Sequence, residues 1–244
     1  PILASQVYEN VQVLGDLSVA EFARAMLAIT AWVSPEQQCL YCHVEGESMA
    51  ADTLYTKVVA RRMIQMNRDL NVGWTAHVKE TGVTCYTCHR GQPVPAEIWF
   101  ADPGPKTARG LAGNRAGQNA PADSVALASL PYDPFTPFLL QDRQVRVSST
   151  HPLPDGQNPQ DIMQTEWTYS LMIHMSDSLG LNCTGCHNSR YFGNWEESTV
   201  QRVSAWHGIR MARSLNVEYL EPLTPVFPEN RLGPLGDVGK VYCN

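Results

Sequence analysis

Four stretches of the chain carry apolar residues at helical spacing. Ser18 and Glu21 stand at the separation of a capping box. Val19, Phe22, Ala23, Met26, Leu27 and Ile29 follow at helical intervals, which predicts a helix that Ser34-Pro35 ends. A second helix is expected after a cap at Asp52 or Thr53. Tyr55, Val59, Met63, Met66 and Leu70 share one of its faces, Val58 lies alongside, and Asn71 and Gly73 close it. A third runs from about Thr165 to Leu179, with Trp167, Leu171, Met172, Met175 and Leu179 on one face and Gly180 as its C-cap. Ser198 or Thr199 opens a fourth, which reaches about Leu215 through Val200, Val203, Trp206 and Met211. Pro1 to Leu17 read as an extended lead-in. Residues 92–160 are punctuated by proline and glycine and read as a connector with little regular structure, in which Val145-Arg146-Val147 is a brief strand. The expected fold class is mainly α with long irregular loops.

The intervals between these helices carry the chemistry. Cys39-Leu40-Tyr41-Cys42-His43, Cys85-Tyr86-Thr87-Cys88-His89 and Cys183-Thr184-Gly185-Cys186-His187 share one spacing and use six of the seven cysteines. Two thiols three positions apart can each add to one vinyl group of a haem, and the following histidine then becomes the proximal iron ligand. The seventh, Cys243, is the second-to-last residue and starts what reads as a fourth motif, cut after Asn244. Zinc ribbons space their cysteine pairs by about 15–20 residues, far less than the interval from Cys42 to Cys85. No strand pattern surrounds the pairs, which disfavours a thioredoxin-type site. Covalent haem attachment takes place outside the cytoplasm, so a periplasmic location follows.

Helix and motif alternate twice, and Arg68-Asp69-Leu70-Asn71-Val72 returns as Arg213-Ser214-Leu215-Asn216-Val217. This predicts an internal duplication with a local two-fold. Residues 1–91 form the first dihaem half, 92–160 the connector and 161–244 the second dihaem half. Each iron also needs a sixth ligand. Met26, Met63 and Met172 each lie on the apolar face of the helix just upstream of a motif. Methionine on such a face is more often core filler, and Met66 and Met175 are rivals one turn away.

Charge and composition narrow the partners. The net charge of -6 disfavours nucleic acid and permits a basic protein partner. Glu36, Glu45, Glu47 and Asp52 surround the first motif, as a steering cluster or as solvated loop charges. No apolar run has the length of a membrane span. Nor does a signal peptide stand at Pro1, so any anchor is expected outside this stretch. A multihaem enzyme would need an open iron position and an adjacent acid or base. Each complete motif has a candidate sixth ligand, which favours an electron carrier. The length of the proline-rich stretch favours a docked subunit over a freely diffusing one.

The chain resembles the tetrahaem cytochrome c subunit of the purple-bacterial photosynthetic reaction centre. The likeness is carried by Val58-Val59-Ala60-Arg61-Arg62-Met63, by the run from Glu80 to Gly91, by Ser176-Asp177-Ser178-Leu179-Gly180 with Asn182-Cys183-Thr184, and by Gly208-Ile209-Arg210-Met211. It implies four covalently bound haems c, three of them ligated as His43/Met26, His89/Met63 and His187/Met172. The fourth, attached at Cys243, would have two histidine ligands. Its proximal histidine would follow Asn244, and its distal one would be His77. The duplicated phrase sets Met63 opposite Gly208 and Met66 opposite Met211, so Met211 and His207 are the alternatives to His77. The resemblance implies a periplasmic-face subunit bound to the reaction-centre L and M subunits and the light-harvesting antenna. It would have no catalytic site of its own. It would re-reduce the photo-oxidised bacteriochlorophyll special pair with electrons from a soluble cytochrome c or a high-potential iron–sulfur protein. The haem at Cys183 would lie nearest the pair.

Overall fold

Ser18 caps the helix that follows it, as its sequence predicts. Its side chain accepts from the Glu21 N–H at 3.3 Å, and Glu21 Oε2 accepts from the Ser18 N–H at 3.0 Å. These bonds come from a computed structural model of the chain, which describes residues 1–103, 119–147 and 161–244. The glycines and prolines of the connector between 104 and 118, and residues 148–160, lie outside the described residues. The lead-in contains a helical turn, α1 (Ala4–Val7), because Leu3 and Ser18 bridge and bring Ala4 N–H to the Leu17 carbonyl at 2.8 Å. The capped helix is α2 (Val19–Val33), ended at Ser34 before Pro35.

Helix α3 spans Tyr55–Gly73 and starts after Leu54 rather than at Asp52 or Thr53. Both expected caps have other partners. Asp52 takes Arg61 at 2.9 and 2.7 Å and Lys57 at 3.2 Å, and the Thr53 hydroxyl donates to Glu47. Two short helices follow, α4 (Thr75–Val78) and α5 (Cys85–His89). Helix α6 (Ile162–Ser178) begins a turn earlier than expected because Asp161 caps it, accepting from Gln164 N–H at 2.7 Å. Gly180, at φ +62°, lies just past its end and takes the left-handed conformation that a side chain resists. Then come α7 (Cys183–Cys186) and α8 (Val200–Ser214), the latter capped by Thr199. The chain beyond α8 continues as a π-helical turn over Leu215–Leu220.

Val145–Val147 is not a strand. The Val145 carbonyl accepts from the Thr168 hydroxyl at 3.0 Å and the Gln144 carbonyl from Gln164 at 2.8 Å, so the backbone runs along α6 instead of pairing with another strand. Among the described residues the one sheet is a two-residue antiparallel pair, β1 (Asn119–Ala120) with β2 (Leu130–Pro131).

The chain forms two compact units. The first comprises residues 1–98 and 222–231, the second 99–221 and 232–244. In the second, Phe138, Leu139 and Leu171 are fully buried beside Trp99, Phe135 and Ile209. Phe135, Phe138 and Leu139 come from the stretch expected to be connector. It has little regular structure yet supplies the core against which α6 and α8 pack. The first unit buries less. None of the residues of α2 is fully buried, and α3 buries only Thr56 and Leu70.

Asp52 links the loop after the first cysteine pair to α3. The Arg61 guanidinium holds its carboxyl far below the ordinary value of 3.8, with Asn10 and Lys57 adding to the effect. A depressed carboxylate stabilises the fold above its unfolded pKa and loses that contribution as pH falls through the folded value. Asp52→Asn should therefore lower stability at neutral pH by about 1 kcal/mol or less, the side chain being partly solvated and screened. In denaturant melts the two proteins should converge as pH drops below 3.8. A gap that persists in acid would contradict this.

Candidate haem-binding sites

Each cysteine pair lies on a single turn. Residues three apart on a helical turn share a face, so both thiols of Cys85 and Cys88 point to the same side of α5, and those of Cys183 and Cys186 to the same side of α7. Cys39 and Cys42 are arranged likewise by a 3-10 turn over Gln38–Tyr41. Local sequence dictates these turns. Asn182 Oδ1 accepts from the Gly185 N–H at 3.2 Å, and Thr87 Oγ1 accepts from the Thr84 N–H at 3.0 Å. Arg90 and Gly91, at φ 50° and 83°, end α5 in the left-handed region. None of the seven cysteines is paired in a disulfide. Burial raises the pKa of Cys42, Cys85, Cys88 and Cys186, and pushes Cys243 up to about 12. Among the described residues no three His, Cys, Asp or Glu side chains converge to hold a metal ion.

The histidines are oriented for coordination. His89 Nδ1–H donates to the Gln92 carbonyl at 2.9 Å and His187 Nδ1–H to the Phe192 carbonyl at 3.0 Å. That bond fixes the tautomer and leaves Nε2 with its lone pair outward, the usual arrangement of a metal-ligating imidazole. The Phe192 ring also lies flat on His187, with centroids 4.1 Å apart. Burial lowers the pKa of both rings and keeps them neutral. His43 is neutral for the same reason, with Lys57 adding to it. Its Nδ1 is buried without a hydrogen-bond partner, although the Met49 backbone lies close enough to favour the charged form. This donor set, two thiols and one neutral imidazole per turn, fits a covalently held haem.

The sixth-ligand candidates differ in burial. Met175 is buried in the core of the second unit, whereas Met172 packs against that core and is only partly buried. Met26, Met63 and Met66 are all half-buried on α2 and α3, and α2 packs against both α5 and the Gln38–Tyr41 turn. His77 lies on α4, half-buried, and Met211 and His207 are half-buried on α8. The His207 ring meets Trp206 edge-on at 4.7 Å.

One buried titratable group escaped the sequence reading. His174 is 4% exposed, stacks on Tyr242 at 5.0 Å and meets Phe135 edge-on at 4.6 Å. Burial brings its pKa down to about 4, so it is a neutral core ring adjoining the residue before Cys243. Its place on the apolar face of α6 was the available signal, and the neighbouring methionines overshadowed it.

The charges around the first motif divide into two kinds. Glu36, Glu45 and Glu47 are exposed, while Asp52 is engaged by Arg61 and Lys57. Around the third motif Leu179, Leu181, Tyr191, Phe192 and Trp195 are exposed, interspersed with exposed Arg190, Asn194, Glu196 and Glu197.

Residues 2–244 match the family model described as photosynthetic reaction centre cytochrome C subunit. The chain is 55% identical over 241 residues to the photosynthetic reaction center cytochrome c subunit of Rubrivivax gelatinosus, covering 99% of this chain and 65% of that one. It is 54% identical to the protein of that name from Thermochromatium tepidum, covering 98% and 58% of the two chains. With the Roseobacter denitrificans counterpart the identity is 45%, covering 99% and 67%. The chain thus spans between 58% and 67% of the length of these relatives.

Replacing either methionine of α6 by leucine keeps the volume and removes the sulfur. Met172→Leu should abolish the methionine-ligated signature of one haem in the reduced and oxidised spectra and lower its potential. Met175→Leu should leave every spectrum intact and cost less than about 1.5 kcal/mol of stability. The opposite pattern would assign the ligand to Met175.

Proposed function

Because the chain belongs to the family of photosynthetic reaction centre cytochrome c subunits, we propose that it relays electrons from a soluble donor to the photo-oxidised bacteriochlorophyll special pair. Bound haem c supplies reversible one-electron storage at each site. The observation that carries this reading is the set of three attachment turns, each with two thiols on one face and a neutral histidine next to them. The protein's part is to hold each iron between two fixed side chains, so that it changes charge without changing ligands. His43 with Met26, His89 with Met63 and His187 with Met172 form the three His/Met pairs. His77 is the distal ligand of a fourth haem attached at Cys243, which gives four haems in two dihaem halves, residues 1–91 and 161–244. With every iron six-coordinate, the subunit has no catalytic site of its own.

The surfaces support a direction of flow. The exposed Glu36, Glu45 and Glu47 beside the first motif suit a basic soluble cytochrome c, with a high-potential iron–sulfur protein as the alternative donor. Apolar side chains exposed around Cys183 suit a permanent contact with another protein, here the L and M subunits, which makes this haem the one that reduces the special pair. The light-harvesting antenna is a further partner in this reading. No helix among the described residues is long and apolar enough to cross a membrane, which fits a peripheral subunit on the periplasmic face of the photosynthetic membrane.

Flash photolysis of the intact complex tests the relay. Charge reversal at Glu45 and Glu47 should cut the second-order rate of reduction by a basic cytochrome c at low ionic strength. The deficit should close as salt rises and the Debye length shrinks to about 8 Å. An unchanged rate at low salt would remove the docking role. His77→Met should raise the potential of one haem, the one at Cys243. A shift confined to the Cys85 haem, or none, would transfer the ligand role to Met211 or His207.

A further inference from the structure

The two copies of the phrase Arg-x-Leu-Asn-Val make the same set of bonds, each within its own unit. In the first, Asn71 Nδ2 donates to the Val83 carbonyl at 2.9 Å, and the Val83 N–H donates back to Asn71 Oδ1 at 2.7 Å. In the second, Asn216 Nδ2 donates to the Val241 carbonyl at 2.9 Å, and the Val241 N–H donates back to Asn216 Oδ1 at 2.8 Å. Val83 stands two residues before Cys85, and Val241 two residues before Cys243. The arginines repeat as well. Arg68 donates to the Val13 carbonyl at 2.8 Å and to Asp16, while Arg213 donates to the Phe138 carbonyl at 2.9 Å and to Asp142. Leu70 and Leu215 are each 6% exposed.

We infer that Asn71 and Asn216 are duplicated positioning residues, which set the haem-attachment turns at Cys85 and Cys243 against the helices that precede them. A primary amide is the side-chain group that offers a donor and an acceptor in the arrangement of a peptide. It can therefore hold both polar groups of one residue as a neighbouring strand would. The remaining amide proton is used too, on the Asn67 carbonyl at 3.0 Å and on the Leu139 carbonyl at 3.2 Å. Aspartate lacks the donor and leucine lacks both, so either change leaves a partner unsatisfied, which costs more than the bond itself contributed. Gly82 fits the same device. At φ +65°, a Cβ on it would run into Asn71 Oδ1. The corresponding position in the second unit is Lys240, whose side chain turns away to Asp237 and Glu221.

Loop length explains the difference between the two sites. The first amide closes an interval of 12 residues and the second one of 25. A longer loop loses more entropy on closure, and the second site has extra grips. The Trp99 indole donates to the Val241 carbonyl at 3.0 Å, and Trp99 and Lys240 pair through both backbone bonds at 2.9 Å. Met63 lies two turns before Asn71 on α3, so in the first unit one helix carries both a candidate ligand and the clamp. Gly208, on α8 eight residues before Asn216, offers none, so the π-helical turn that continues α8 retains the clamp while the distal ligand comes from elsewhere.

This inference rests on haem attachment at Cys85 and Cys243, and the experiment separates the two ideas. The mass of the full-length mature holoprotein first gives the haem count. Four supports the Cys243 site; three overturns it and leaves the clamp to be judged on Asn71 alone. Redox titration then follows each haem in Asn71→Leu and Asn216→Leu. The expected result is a shifted potential for the Cys85 haem alone in the first and for the Cys243 haem alone in the second. Gly82→Ala should reproduce the first, and Asn71→Asp, which keeps the acceptor, should shift the same haem less. Unchanged potentials, or equal shifts in all haems, would overturn the inference. Amide exchange in the unaltered protein decides the matter if the variants do not mature. The Val83 and Val241 amide protons should exchange about tenfold or more slower than in an unstructured chain. Unprotected amides would overturn it.

Discussion

A haem held by two thioethers and two axial side chains needs its attachment turn fixed relative to the helices around it. In this chain that requirement falls on one amide side chain per unit. Asn71 and Asn216 each make a two-way bond to the backbone just ahead of a motif, and each stands at the end of a helix anchored by its own arginine. Each bond ties the end of a helix to the backbone two residues before a cysteine across an interval of 12 or 25 residues, which lets irregular segments intervene without loosening the geometry.

The two units solve the packing problem differently. In the second, Phe135, Phe138 and Leu139 come from a proline-punctuated stretch that forms a π-helical turn over Thr136–Leu140, and they fill a core against α6 and α8. In the first, α2 leaves its apolar stripe half-buried beside the attachment turns, a surface suited to a large planar apolar group. The methionines differ in burial in the same way. Met175 belongs to a core, while Met172, Met63 and Met26 lie at edges.

Charge follows function in a similar way. Asp52 belongs to the acidic cluster by sequence but is drawn inward to Arg61 and Lys57, where it fastens a loop to α3. What remains facing solvent is Glu36, Glu45 and Glu47, a smaller patch but still of one sign. The surface around Cys183 differs in character, because large apolar side chains are exposed there among polar ones.

The sequence by itself determined the three cysteine–histidine motifs, the helices that flank them and the family. Thiols three apart, a following histidine and a capping box are local relations, and local relations survive whatever the rest of the chain does. It also showed that Asn71 and Asn216 correspond. What those asparagines bind, which of two methionines on α6 is the more deeply buried, and that Val145–Val147 lies along a helix instead of in a sheet were decided by the tertiary structure alone. So was the part played by His174. Each depends on residues brought together from a dozen or more positions away, and hydrogen bonds and burial are properties of what surrounds a residue in space. Spacing along the chain records which groups can act together on one turn; only packing decides which of them are already committed to a partner.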